Sequence, residues 1–188
     1  MKLTHRLPLL LCAILTLSAC AGSPTTYLTL STVAPAQTWP TTPQHPIAVS
    51  HPNIPPAIDR QHFIIQTGPS TLHVAGNTAW AAPLSGMIQL TLAQDLSTRL
   101  PNANVLMPGD PVPPGGAQQV LVNIQYFMPT PSGAVRLQAD WSVQSPSGQS
   151  LYQGHIQFTQ QGGPTPADAA HTMSLALATL STRIAEQL

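Results

Sequence analysis

Cys20 is the residue whose surroundings prescribe a reaction. It closes the run Leu17-Ser18-Ala19-Cys20. Before it lie eleven residues, Leu7 to Leu17, apolar except at Pro8 and Thr16. Lys2 and Arg6 place positive charge ahead of that run. Charge, a short apolar stretch and small residues make a secretory signal, too short to span a hydrocarbon core of roughly 30 Å.

Other residues invite chemistry and give less. His51, His62 and His73 recur at intervals of eleven, which suggests a metal site. Prolines and a turn separate their segments, so the spacing is not helical. No cysteine or carboxylate cluster accompanies them. They read as surface or strand histidines, and no metal or other cofactor is expected. Asp59-Arg60 reads either as a loop ion pair fixing the approach to the next strand or as a partner contact. Arg136 and Asp140 share the polar face of one strand, as a plain wet face or as part of a docking surface. Trp80 reads as a core anchor at the start of a helix. No Gly-x-Ser-x-Gly occurs, Ser147-Gly148 falls in a turn, and no carboxylate pair is set for glycoside chemistry. No catalytic residue is assigned and the chain is not expected to be an enzyme.

Leu-Ser-Ala-Cys resembles a bacterial lipobox. The resemblance implies cleavage before Cys20 and acylation of its sulfur. Each buried methylene contributes about 0.8 kcal/mol, so several acyl chains give an effectively permanent anchor without a spanning helix. Ala21, rather than Asp, follows the cysteine, which favours the outer membrane over the inner one under the enterobacterial sorting rule.

Removal of residues 1–19 leaves 169 residues, one domain with a tail. Cys12 leaves with the signal, so Cys20 is the sole mature cysteine and no intrachain disulfide can form. The mature chain has four Arg, no Lys, five Asp and one Glu. The missing lysine excludes a phosphate loop, a Schiff base and a Ser-Lys dyad. Four scattered arginines cannot grip a nucleic-acid backbone or a field of anionic head groups.

The elements that carry these residues follow from pattern. Residues 20–46 read as a lipidated tether, a first strand at Tyr27–Ser31 and a linker rich in proline. Residues 47–188 read as the globular domain. Ile47-Ala48-Val49 is a short strand. Gln61–Thr67 and Thr71–Ala75 form a hairpin around Gly68-Pro69. Leu84, Met87, Ile88, Leu92, Leu96 and Leu100 recur at helical spacing, giving a helix over Pro83–Leu100. Asn104–Met107 is a short strand.

Three alternating runs follow: Val120 to Met128, Val135 to Val143 and Tyr152 to Phe158. Each reads as a strand with one buried and one wet face. Turn residues at 129–133 and 145–148 join them into an antiparallel meander. Thr165 caps a last helix with Pro166 at its first turn and Asp168 near its positive end. The expected fold class is α+β: a mixed, largely antiparallel sheet with a C-terminal three-stranded meander and two amphipathic helices packed on one face.

In order and spacing, the lipobox, Tyr27-Leu28-Thr29-Leu30, Ile47-Ala48-Val49, Ile54-Pro55-Pro56-Ala57-Ile58-Asp59-Arg60 and Trp80-Ala81-Ala82-Pro83-Leu84 resemble the PqiC-type family, the ABC-type transport auxiliary lipoproteins. Gln and Thr largely replace the charged residues usual in that family, and Ile54 replaces its Leu. The resemblance implies a non-catalytic lipoprotein on the periplasmic face of the outer membrane. It implies a partner that spans the periplasm with an MCE domain, together with inner-membrane transport components, and a role in lipid transport and envelope integrity. The other reading is a structural or assembly lipoprotein of another envelope or secretion complex. Open sheet edges predict self-association or strand-mediated docking.

Overall fold

The computed structural model of the chain describes residues 24–188. The signal segment and Cys20 lie outside the described residues. Eight strands and two helices follow: β1 (Thr26–Leu28), β2 (Ile47–Val49), β3 (His62–Gly68), β4 (Thr71–Trp80), α1 (Leu84–Arg99), β5 (Val105–Leu106), β6 (Gln118–Pro129), β7 (Val135–Gln144), β8 (Ser150–Gln160) and α2 (Pro166–Ala185). The fold class is α+β as the sequence predicts.

The larger sheet has five strands in the order β5-β2-β6-β7-β8. β2 runs parallel to both β5 and β6, whereas β6, β7 and β8 form the antiparallel meander. Alternation explains why one face is dry. Val120, Val122 and Ile124 of β6 and Val135, Leu137, Ala139, Trp141 and Val143 of β7 are buried. α1 packs on β2 and β5, α2 packs on β6, β7 and β8, and the helices pack on each other. Their buried faces supply Leu84, Ile88, Leu92 and Leu96 from α1 and Met173, Leu177, Leu180 and Ile184 from α2. Thr165 accepts from the Asp168 N–H at 3.1 Å and Asp168 Oδ2 accepts from the Thr165 N–H at 3.3 Å, a complete capping box.

Two details depart from simple alternation. The pairing slips by one residue between Ile124 and Tyr126, a bulge that turns the rest of β6 over. Phe127 is therefore in the core, while Tyr126 and Met128 are only half-buried. β8 is an edge strand with less cover, so Tyr152 is exposed instead of buried, and Ile156 and Phe158 are half-buried. Gly154 makes room for its neighbour: the Trp141 indole lies where a side chain at 154 would begin, 2.6 Å from a hypothetical Cβ.

The smaller sheet has the order β1-β4-β3. β4 extends five residues beyond the expected Ala75 and reaches Trp80, whose ring meets Phe63 at 5.1 Å between centroids. This hairpin joins the core through Phe63 and Trp80, with Ile64 buried and Ile65 and Ala75 packed against the core.

The stretch between β1 and β2 has no regular structure, as its prolines require, yet it is not a free linker. The Ser31 N–H donates to Ser174 Oγ at 3.2 Å, Thr32 Oγ1 to Gln94 Oε1 at 2.8 Å and the Trp39 N–H to the Arg99 carbonyl at 2.7 Å. Thr41 Oγ1 donates to the Leu188 carbonyl at 2.9 Å. Leu28 and Leu30 are buried beneath it. Residues 28–41 thus form a strap across both helices.

Candidate functional site

The strap is held by a buried charge pair. Asp95 and Arg99 stand one turn apart on α1, with side-chain exposures of 0% and 3%. Arg99 Nη1 lies 3.3 Å from Asp95 Oδ1. The Val33 N–H donates to Asp95 Oδ1 at 3.1 Å, and Ser181 Oγ of α2 donates to Oδ2 at 3.4 Å. Arg99 Nε donates to Thr182 Oγ1 at 3.0 Å and Nη1 donates to the Val33 carbonyl at 3.4 Å. Burial pushes the Asp95 carboxyl above its ordinary range, and the Val33 hydrogen bond and the Arg99 charge partly offset it. Strap, α1 and α2 therefore meet at one ionic node. The sequence reading passed over it, although Asp95 and Arg99 interrupt an apolar helical stripe at i,i+4.

The outer face of the larger sheet carries the main concavity. Its volume is about 740 Å³, and its lining includes His51, Asn53, Asn123, Asp140, Ser142 and His155. Strand register brings these together: Asn123 pairs with Asp140, and Asp140 with His155. Asp140 Oδ1 lies 2.7 Å from His155 Nδ1, and Gln125 Nε2 donates to Asp140 Oδ2. Asn53 Nδ2 donates to Asn123 Oδ1 at 2.6 Å, and His51 Nδ1 lies 3.4 Å from Gln89 Oε1.

Asp140, His155 and Ser142 share this floor, a combination found in acyl-transfer triads. Here the Asp and His side chains are 55% and 52% exposed, and no hydroxyl is hydrogen-bonded to His155 Nε2 among the described residues. A working triad holds its aspartate buried and its serine on the second ring nitrogen. The floor offers amides, hydroxyls and one exposed Asp–His hydrogen bond: recognition chemistry for polar groups.

Each expected contact residue has a place. Asp59 Oδ1 accepts from the Ser85 N–H at 3.1 Å. α1 begins after Pro83, which has no side-chain cap of its own, and Asp59 supplies one from a distance. Arg60 is exposed, with no side-chain partner among the described residues. Arg136 stacks 4.9 Å above the Tyr126 ring and donates to Gln138 Oε1 at 3.1 Å. It does not pair with Asp140. The Tyr126 hydroxyl is pushed above its usual range by burial, and the Arg136 charge opposes this. His62 sits at the base of β3 opposite Ala79, and His73 farther along β4 opposite Ile65, so the eleven-residue spacing does not gather them. Trp80 is a core residue at the start of α1.

The comparisons with known proteins agree with this architecture. The model of the ABC-type transport auxiliary lipoprotein component family matches residues 28–185. The chain belongs to that family. The match begins in β1 and takes in the strap, both sheets and both helices. A crystal structure of an uncharacterized protein is similar with a TM-score of 0.69 at 21% identity, covering 87% of this chain and 98% of that one. Protein XCC0632 from Xanthomonas campestris, described under the family model DUF330, is similar with a TM-score of 0.63 at 15% identity. That likeness covers 87% of this chain and 92% of the other. At these identities the two structures share the fold with this auxiliary lipoprotein. No match is found among curated proteins.

Proposed function

We propose that this auxiliary lipoprotein is the non-catalytic outer-membrane component of an MCE-type, Pqi-like intermembrane lipid transport system. The family match over residues 28–185 carries the reading. Auxiliary components of ABC-type transport act with transporter partners. The partner here is an MCE-domain protein that spans the periplasm, associated with inner-membrane transport components. Cys20 is the acylated residue and Ala21 directs the protein to the outer membrane, with the domain on the periplasmic face. Asp59 is occupied as a helix cap, so Arg60, Arg136 and Asp140 are the better partner-contact candidates.

The test is capture in the cell. Photo-crosslinkers at Arg60, Arg136 and Asp140 should trap an MCE-domain protein, and deletion should sensitise the envelope to detergent. Capture of secretion or polysaccharide-assembly proteins with an intact permeability barrier would favour the alternative, an assembly lipoprotein.

β8 supports a homo-oligomer reading as well. It is an 11-residue strand at the edge of its sheet, with exposed Leu151 and Tyr152 and no Lys, Arg, Asp or Glu along it to discourage pairing. Light scattering in detergent should give a mass above the monomer; a monomer at all concentrations overturns self-association.

A further inference from the structure

We propose that the β3–β4 hairpin seats in the surface of the bilayer to which Cys20 is attached. The inference rests on acylation of Cys20 and adds a second membrane contact to it. The direction of β1 is the first observation. β1 runs parallel to β4, with Thr26 opposite Thr78 and Leu28 opposite Trp80. Followed backwards from Thr26, the chain heads for the end of the hairpin where Gly68 turns into Thr71.

Lengths make the placement quantitative. From Thr78 back to Thr71 is about 23 Å of strand at roughly 3.3 Å per residue. From Thr26 back to Cys20 the chain can extend about 20 Å. The anchor therefore reaches about as far as the hairpin tip and no farther. The strap fixes the chain after β1 to both helices, so any slack between domain and anchor lies ahead of β1.

The chemistry of the hairpin suits that position. Residues 61–80 contain no Asp, Glu, Lys or Arg. Asp59 and Arg60 stand at the opposite end, where the Trp80 N–H donates to the Gln61 carbonyl. Leu72 and Val74, two residues apart, are 43% and 49% exposed on one side of β4. Tyr27, at the first strand after the tether, is 61% exposed and combines an apolar ring with a polar end. Among the described residues, β4 from Thr71 to Asn77 has no strand on its β1 side. Those backbone groups need water or head groups, so the hairpin rests in the interfacial layer, to a depth on the order of 5–10 Å, and does not enter the hydrocarbon core. With no basic residue at the tip, seating is independent of anionic lipid and of salt.

The experiment uses the full mature lipoprotein in vesicles of phosphatidylethanolamine and phosphatidylglycerol. Acylation blocks Cys20, so Leu72→Cys, Val74→Cys and, as a control in the β7–β8 turn, Ser147→Cys each give one thiol for an environment-sensitive fluorophore. Intact mass reports acylation separately. The expected result is a blue shift and quenching at 72 and 74 by spin labels on the head group or at the top of the acyl chain, not by labels near its end, and neither at 147, unchanged by salt or by omission of phosphatidylglycerol. An acylated protein with no quenching at 72 and 74 overturns the hairpin contact and leaves the anchor standing. A blue shift that needs no lipid and grows with protein concentration assigns the face to a second copy and also overturns it. An unacylated Cys20 overturns both.

Discussion

The two sheets of this protein use the same residue types to opposite ends. In the five-stranded sheet, apolar side chains alternate inward and both helices cover them. In the three-stranded sheet, Phe63 and Trp80 join the core and Ile65 and Ala75 pack against it, while Leu72 and Val74 toward the tip of the hairpin are exposed. Charge divides in the reverse sense. The dry side of the larger sheet carries a buried ion pair between its helices and the strap, while the exposed hairpin carries no charged side chain. In an ordinary water-facing protein, ions lie outside and leucines inside. The inversion marks the helical side as the part that must hold together and the hairpin as the part that must meet something else.

The strongest way to break this comparison is at the ionic node. Asp95→Ala leaves Arg99 buried without its partner and deprives the Val33 N–H of its acceptor. The expected loss is about 3–5 kcal/mol in urea unfolding. Replacing both residues by apolar ones of similar volume, Asp95→Leu with Arg99→Met, should recover most of it. If the double replacement is as unstable as the single one, the node acts through its hydrogen bonds to the strap and not through its charges. The pH dependence has a definite sign. The folded carboxyl titrates above 3.8, because burial raises it. Between 3.8 and that raised value the folded chain keeps a proton that the unfolded chain has lost. Stability contributed by this group is fully present below 3.8 and is lost as pH rises through the raised value. Wild type should therefore lose urea midpoint relative to Asp95→Asn as pH rises across that window.

Next in size is the contact between Trp141 and Gly154. A valine at 154 would push its side chain into the indole and force Trp141 from its place over β8. Gly154→Val should cost about 1–3 kcal/mol by thermal unfolding, with a shift in tryptophan emission. Gly148, in a turn with open space around it but at φ +86, is the control for emission: Gly148→Asn should cost about 1 kcal/mol through its left-handed backbone and leave the tryptophan emission unchanged.

Smaller again is the borrowed cap. Asp59→Ala removes the acceptor for the Ser85 N–H and should cost about 1 kcal/mol. Asp59→Asn keeps an acceptor oxygen and should recover most of it. The same variants tell capping from partner contact: if Asp59→Ala weakens capture of the proposed MCE-domain partner while Asp59→Asn does not, the cap is what the partner senses.

What the sequence disclosed tracks the range of the physics involved. The capping box at Thr165–Asp168, the alternation of β7 and the turns at 133 and 148 are local, and all are legible in a few adjacent residues. The bulge at Gln125 was not legible, because it adds no residue type that alternation would flag. The strap's contacts are not legible, because proline excludes regular structure but says nothing of long-range contacts. Its bonds run to residues 60 to 147 positions away. Asp95 and Arg99 looked like the polar interruption of an amphipathic helix; only the strap and α2, closing over them, make the pair interior. The polar depression around Asp140 depends on registry across β6, β7 and β8, which pattern alone places on a face but not in a hollow.

The smallest expected effect is the most diagnostic for the comparison. Leu72→Ser and Val74→Ser, singly or together, remove exposed apolar side chains that lie outside the core. Folding stability of the domain in detergent-free buffer should change by no more than about 0.5 kcal/mol, since exposed substitutions away from caps, turns and ion networks stay within that range. The matched change in the other sheet, Leu137→Ser, should cost several kcal/mol, because it buries a hydroxyl and opens a void beneath α2. Equal penalties in the two sheets would mean that the hairpin is folded back onto the domain and has its own core. A wide gap means that its leucine and valine contribute to some surface other than the protein's own interior.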